Sequence, residues 1–329
     1  LGQTSLSKVT FVAKGVVIYT LFFELIGVII LSTSFIPIYG FDRGLYYSIF
    51  YSISAFNNAG FSLFNNSLMN FQGHYLICLT ISTLYTLGGI GFLVLIDIKQ
   101  NKRWSKLTPN SKLILSAIAI LNVVAFILIW LLEANNPLTL GAMSTGEQAM
   151  NAWFQATVPR SSGFNTIDTG AMEHSTTLLT MLLMFIGGGS LSTAGGIKVG
   201  TFVILLLCVI SFLRRNEEIR IFNHSISQET TYKALAVAAI TGMLIFVGCF
   251  TLFLLEPKLD VLDLMFEVVS AACTVGLSRG VTGELHDGSL FVLSLLMYTG
   301  RLGPLTLAYL IATPRKSRLK HANANIQIG

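Results

Sequence analysis

Three short stretches of this chain place small or polar residues and a glycine at the end of an aromatic and apolar run. They are Asn57, Asn58, Ala59 and Gly60; then Ser161, Ser162 and Gly163; then Thr274, Val275 and Gly276. The glycines recur a little over a hundred residues apart, and repetition at that scale decides architecture. Residues of this kind act through their backbone. A filter strips a cation of water and replaces the water with carbonyl oxygens, all pointing inward. That demands backbone angles that side chains disfavour and glycine reaches at little cost. One glycine after a short helix says little, because helix C-caps and close-packing glycines look the same. Three, each between two apolar spans, point to pore loops.

A second set lies in one apolar stretch. Gly187, Gly188, Gly189, Ser190, Ser192, Thr193, Ala194, Gly195 and Gly196 are followed by Lys198. Each glycine costs a helix about 1 kcal/mol relative to alanine, so a break is expected here. In mid-membrane a break is viable only in protein or beside a water-filled cavity, and broken helices recur at transporter sites. The glycines are not a phosphate-binding loop, because no Gly-Lys-Ser/Thr follows at the required spacing. Arg301 sits deep in the last apolar stretch. Intramembrane arginine is costly and functional by default, so a cavity position is expected, where it repels cations or bonds the glycine-rich loop. Arg160 adjoins the second glycine loop. A charge in an ion path would block cations, so Arg160 is expected behind the loop, paired with a carboxylate such as Glu267 or Glu147.

These loops need elements to hold them. Hydrophobic residues make up 53% of the 329 residues and charged residues 11%. Mean hydropathy is +0.70, which places the chain in a membrane. Six spans can be drawn, roughly at 11–36, 74–97, 111–133, 176–211, 232–256 and 288–312. The N-terminal stretch is too long for a signal core and lacks a cleavage pattern. The helices before Gly60, Gly163 and Gly276 are too short to cross and are expected to be re-entrant. The chain then divides into span–loop–span units at 1–99, 100–213 and 214–313, with a cytoplasmic tail at 314–329.

Charge sets the orientation. Lys99, Lys102, Arg103, Lys106 and Lys112 follow the second span. Arg214, Arg215, Arg220 and Lys233 follow the fourth, and Arg315, Lys316, Arg318 and Lys320 lie in the tail. The opposite loops are mostly acidic. The basic side is therefore expected in the cytoplasm, with all three glycine loops opening outward. The net charge of +5 sits in short loops and does not indicate nucleic-acid binding. Cys78, Cys208, Cys249 and Cys273 form no CxxC pair, and His74, His174, His224, His286 and His321 show no ligand spacing. No enzyme signature stands out.

The chain resembles the Trk/Ktr/HKT superfamily of potassium transporters, and within it the KtrB-type membrane subunit of the Ktr system. The resemblance rests on Asn57-Asn-Ala-Gly-Phe-Ser62, Pro159-Arg-Ser-Ser-Gly-Phe-Asn-Thr166, Thr274-Val-Gly-Leu-Ser278, the run from Gly187 to Lys198, and Gly300-Arg-Leu-Gly-Pro-Leu-Thr306. It covers essentially the whole chain. It implies an all-α integral membrane protein, with repeats of membrane helix, re-entrant pore helix with filter loop, and membrane helix around a pseudo-fourfold pore. It implies potassium uptake across the bacterial plasma membrane, with K+ at the carbonyls of the three loops and a gate made by residues 187–198 with Arg301. Glycine in all three loops accompanies potassium preference in that superfamily, and sodium stays open as a second ion. The family carries four repeats. The three here match its second to fourth, with Glu24-Leu-Ile-Gly27 opening the second, so a first repeat is expected to be lacking. No cofactor is implied. The implied partners are membrane lipid, a second copy in a homodimer, and a separate cytosolic ring of RCK-type nucleotide-binding subunits. A truncated, non-conducting subunit and a poorly selective sodium/potassium channel are the alternatives.

Overall fold

The computed structural model describes residues 6–216 and 218–303. The end of the last expected span (304–312), the motif residues up to Thr306, and the tail with Arg315, Lys316, Arg318, Lys320 and His321 lie outside the described residues.

Among the described residues the fold is helical, with one two-residue-per-strand hairpin in a linker. Helices α1 (Leu6–Tyr39), α2 (Phe41–Phe56), α3 (Tyr75–Ile90) and α4 (Phe92–Gln100) form the first unit. The second holds α5 (Pro109–Glu133), α6 (Thr145–Thr157), α7 (His174–Phe185) and α8 (Val199–Leu213). The third holds α9 (Gln228–Leu255), α10 (Val261–Ala272) and α11 (Asp287–Leu302). Each unit opens on a long apolar helix. Apolar segments of 27, 25 and 28 residues lie in α1, α5 and α9, where about 20 suffice to cross the hydrocarbon. Their outer faces stay apolar and exposed, as with Val17, Leu21 and Leu25 on α1 and Met243, Phe246 and Phe250 on α9. In a chain this poor in charge, those faces meet lipid.

The short helices α2, α6 and α10 follow, and their sequences say why they start where they do. Ser144 and Glu147 form a reciprocal capping box on α6. The Ser144 hydroxyl and amide hold the Glu147 carboxyl below its ordinary value. The Asp260 carboxylate accepts from the Leu262 and Asp263 amides at the start of α10. Their inner faces are aromatic and fully buried: Tyr51 and Phe56 from α2, Phe154 from α6 and Phe266 from α10 share one core with Phe35 and Phe164. The short helices are thus held inside the bundle, each aiming its C-terminus at a glycine loop.

Two expected spans are not continuous. The second, drawn at 74–97, bends by 91° between α3 and α4. Gly91 makes the corner with φ 106°. The buried Asp97 carboxylate then accepts from the Thr108 amide and hydroxyl, which ties α4 to the start of α5. The fourth, drawn at 176–211, is two helices, α7 and α8, separated by residues 186–198.

Candidate ion pathway

The three glycine loops share one backbone conformation. Gly60, Gly163 and Gly276 have φ of 72°, 77° and 89°. The residue two before each glycine is also left-handed: Asn58 at 51°, Ser161 at 70° and Thr274 at 50°. A β-branched threonine there is uncommon and needs a cause. Part of the cause is helix termination. The Asn58 amide donates to the Ala55 carbonyl and the Ala59 amide to the Ser54 carbonyl. In the third loop the Thr274 amide donates to Ala271 and the Val275 amide to Ser270. These are paired 5→2 and 6→1 closures of a helix C-terminus, with the left-handed residue at the first position past the cap. They turn the loop amides back toward the short helix. The second loop differs, because Pro159 has no amide to give, and there Ser162 donates to the Val158 carbonyl.

The loops also meet. A Cβ on Gly60 would lie 2.6 Å from the Ser162 carbonyl oxygen and 2.8 Å from the Gly163 Cα. A Cβ on Gly163 would lie 2.9 Å from the Gly60 Cα and 3.0 Å from the Val275 carbonyl oxygen. A Cβ on Gly276 would lie 3.3 Å from the Gly163 Cα. Glycine is therefore required twice, by conformation and by close approach. Side chains staple neighbouring loops together. The Asn58 side-chain amide donates to the Arg160 carbonyl at 3.4 Å, and the Ser161 hydroxyl donates to the Thr274 carbonyl at 2.7 Å. Asn57 reaches outward instead, donating to the Glu24 carboxylate on α1 at 2.6 Å. Ser162 and Thr274 each keep a buried hydroxyl with no partner among the described residues. The C-termini of α2, α6 and α10 bring the negative ends of three helix dipoles to this meeting point, a favourable place for a cation.

Residues 186–198 form an ordered closed loop under the third glycine loop. Its ends zip together, with the Gly187 amide donating to the Ile197 carbonyl and the Val199 amide to the Gly188 carbonyl. Its middle is clamped to the broken end of α3. A helix leaves its last carbonyls without partners. Here the Gly189 amide reaches the Gly89 carbonyl at 2.8 Å and the Thr193 amide reaches the Gly88 carbonyl at 3.4 Å. The Gly91 corner makes room, since a Cβ there would strike the Ser190 carbonyl. The glycines of this loop thus serve close backbone approach more than helix breaking. On Gly187 a Cβ would run into the Gly195 carbonyl, and on Gly195 into the Thr274 hydroxyl oxygen. The Gly195 amide donates to the Ser161 hydroxyl at 3.0 Å, so loop and glycine site are directly bonded. Ser192 accepts from the Ala194 amide, and the Lys198 ammonium donates to the Ala194 carbonyl.

Arg301 lies one residue from the end of α11 and donates to the Thr193 carbonyl at 2.8 Å. It lines a cavity of about 480 Å³ with Ser192, Thr193, Gly195, Gly196 and Lys198. Arg301, Lys198 and Lys233 therefore put three cationic groups on the wall of this cavity.

Arg160 departs from expectation. It is buried behind the second loop, 7% exposed, but pairs with neither named carboxylate. Glu147 is engaged by Ser144, and Glu267 accepts from the Ser278 hydroxyl, the Arg279 amide and the Thr282 hydroxyl. Those groups occupy the carboxylates locally, and both terminal nitrogens of Arg160 are without partners among the described residues. Arg279, like Arg301, crosses between units, and the sequence reading did not single it out. The signal for it was its place three residues after Gly276. Gly88, Gly89 and Gly91 were missed as well, although a glycine cluster inside a span was visible.

Short re-entrant helices meeting at glycine loops among long apolar helices define an all-α, multi-pass membrane transporter. The chain belongs to the TrkH family of cation transport proteins, whose model matches residues 1–319. It is 39% identical over its whole length to the Ktr system potassium uptake protein B of Bacillus subtilis (strain 168), covering 74% of that protein. The Vibrio alginolyticus protein of the same name is 38% identical, with 72% covered. The potassium/sodium uptake protein NtpJ of Enterococcus hirae is 37% identical over 93% of this chain and 69% of its own. Among solved structures, the potassium transporter TrkH from Vibrio parahaemolyticus superposes with a TM-score of 0.77 at 21% identity. That match covers 95% of this chain and 66% of the solved one, and carries the fold alone.

Proposed function

We propose that this chain conducts potassium into the cell through a filter built by its three glycine loops. The observation that carries this reading is the repeated left-handed pair, at Asn58 and Gly60, Ser161 and Gly163, and Thr274 and Gly276, with the glycines in mutual contact. Alternating backbone hand turns successive carbonyls toward one side. The carbonyls of Asn57 to Gly60, Ser161 to Gly163 and Thr274 to Gly276 then replace the hydration shell of K+. The potassium uptake proteins among the relatives, at 38–39% identity, support this choice of ion. The potassium/sodium protein supports sodium as a second ion of the same path.

Residues Gly187 to Lys198 are the gate, with Arg301 as its electrostatic support. Their bonds to Ser161, Gly88 and Gly89 support that role. The glycine loops open outward and the basic linkers face the cytoplasm, consistent with the excess of lysine and arginine after α4 and α8. The protein works as a homodimer on a separate cytosolic RCK-type ring, a reading supported by relatives named as components of a Ktr system. The test is potassium uptake by the full-length protein in cells that lack other uptake systems. Growth and rubidium-tracer uptake at low external potassium are expected, and both should be weaker when Gly163 is replaced by serine.

A further inference from the structure

Arg279 joins the third glycine loop to the second unit at three points and pairs with α10 of its own unit. Its Nε pairs with the Asp263 carboxylate of α10 at 2.5 Å. One terminal nitrogen donates to the Thr169 carbonyl at 2.9 Å and to the Thr177 hydroxyl on α7 at 2.7 Å. The other donates to the Gly170 carbonyl at 3.0 Å. The side chain is only 9% exposed. Around it the Thr169 hydroxyl donates to the Ser278 carbonyl, and Glu267 gathers the Ser278 hydroxyl, the Arg279 amide and the Thr282 hydroxyl.

We propose that Arg279 is a specificity-determining positioning residue, a planar strut that fixes the spacing of the second and third loops and thereby the ion discrimination of the filter. This rests on the filter reading above. Ser278 and Arg279 lie two and three residues after Gly276, and Thr169 and Gly170 lie shortly after Gly163. A guanidinium presents donors in a rigid fork, so acceptors on two units are held at fixed relative positions. Asp263 neutralises the charge locally, so the strut stands beside a cation path without repelling the cation. Lysine would keep the charge but could not reach all four acceptors at once. A filter discriminates ions by the spacing and number of its carbonyls, and a loosened wall admits the smaller ion.

The experiment measures potassium uptake and its competition by sodium in the full-length protein, at equal membrane expression, for Arg279→Lys, Asp263→Asn and Gly276→Ser. Arg279→Lys is expected to reduce potassium-over-sodium discrimination by about tenfold, the scale of one lost charge-assisted hydrogen bond, while maximal uptake stays within about twofold. Asp263→Asn leaves the fork in place but frees its charge. It should raise the potassium concentration needed for half-maximal uptake and alter discrimination less than Arg279→Lys does. Unchanged discrimination in Arg279→Lys alongside a clear loss in Gly276→Ser would overturn the strut and leave the filter standing. Unchanged discrimination in both would overturn the filter reading itself. Equal falls in potassium and sodium uptake with the ratio preserved in Arg279→Lys would reduce Arg279 to a stabilising contact and also overturn the proposal.

Discussion

The Ser161 hydroxyl donates to the Thr274 carbonyl at 2.7 Å, joining the second glycine loop to the third. The same oxygen accepts from the Gly195 amide at 3.0 Å, so it also bonds the loop below. One hydroxyl therefore couples the second and third glycine loops to the loop at 186–198. Ser161→Ala deletes both bonds and leaves a buried amide and a carbonyl less satisfied, at a cost of about 1–3 kcal/mol. Thermal stability in detergent should fall, and uptake by the protein expressed without partner proteins should rise. Ser161→Thr, which keeps the hydroxyl, should preserve more of the regulation. Unregulated uptake equal to the parent in Ser161→Ala would separate the gate from this bond.

Gly195→Ala tests the close approach on the gate side. Its Cβ would overlap the Thr274 hydroxyl oxygen and lie 2.5 Å from the Cys273 carbonyl oxygen. The loop must move away from the third glycine loop, since one of these atoms is backbone. Higher basal flux with little change in ion preference is expected from tracer uptake at several sodium concentrations. Gly283→Ala, where a Cβ meets nothing within 4 Å, is the control and should behave as the parent.

Much of the layout is legible in the sequence. The three loops stand out because glycine, short amphipathic helix and long apolar span recur in one order. That recurrence survives changes of side chain, from Asn58 to Ser161 to Thr274. The meeting of Gly60 with Gly163, and of Gly163 with Gly276, could not be read, because it joins residues from separate units. The bend at Gly91 was hidden for a related reason. A glycine in a span is compatible with a straight helix until something, here the Ser190 carbonyl, occupies the place of its side chain. Arg160 and Arg279 show the limit for charges. Both lie within three residues of a loop glycine, yet the partners of Arg279 come from three separate segments, and Glu267 is taken by its own loop. Which arginine would be paired was decided by tertiary contacts alone.

Arg301→Ala removes the donor to the Thr193 carbonyl and one positive charge from the cavity. A fixed charge repels a cation more in a low-dielectric cavity than in water. Each ion driven inward by a 100 mV inside-negative potential gains about 2.3 kcal/mol, so a barrier of that size is enough to hold influx in check. Cation influx should rise in Arg301→Ala, and Arg301→Lys should restore part of the block through its charge. Influx in Arg301→Ala equal to the parent, at equal membrane expression, would place the arginine outside the ion path.

The capping box on α6 carries a pH dependence. Bonds from the Ser144 hydroxyl and amide lower the Glu147 carboxyl from its ordinary 4.5. A carboxylate depressed in the folded state contributes stability that is present above 4.5 and is lost as pH falls through its lowered value. Glu147→Gln should therefore be slightly less thermostable than the parent at pH 7. The gap should close as the pH falls below the ordinary carboxylate range. A gap that stays constant on acidification would assign the effect to shape and not to charge.

The central claim is that the three glycines are the selective part of one ion path. The most direct measurement is the ratio of potassium to sodium uptake in the full-length protein with serine placed singly at Gly60, Gly163 or Gly276. Each serine needs space that a neighbouring loop occupies and a backbone hand that side chains disfavour, so the carbonyl ring must shift. The potassium preference should fall in all three, most at Gly163, which touches both other glycines. Three variants that reach the membrane with the parent's apparent potassium affinity and sodium competition unchanged would contradict the account.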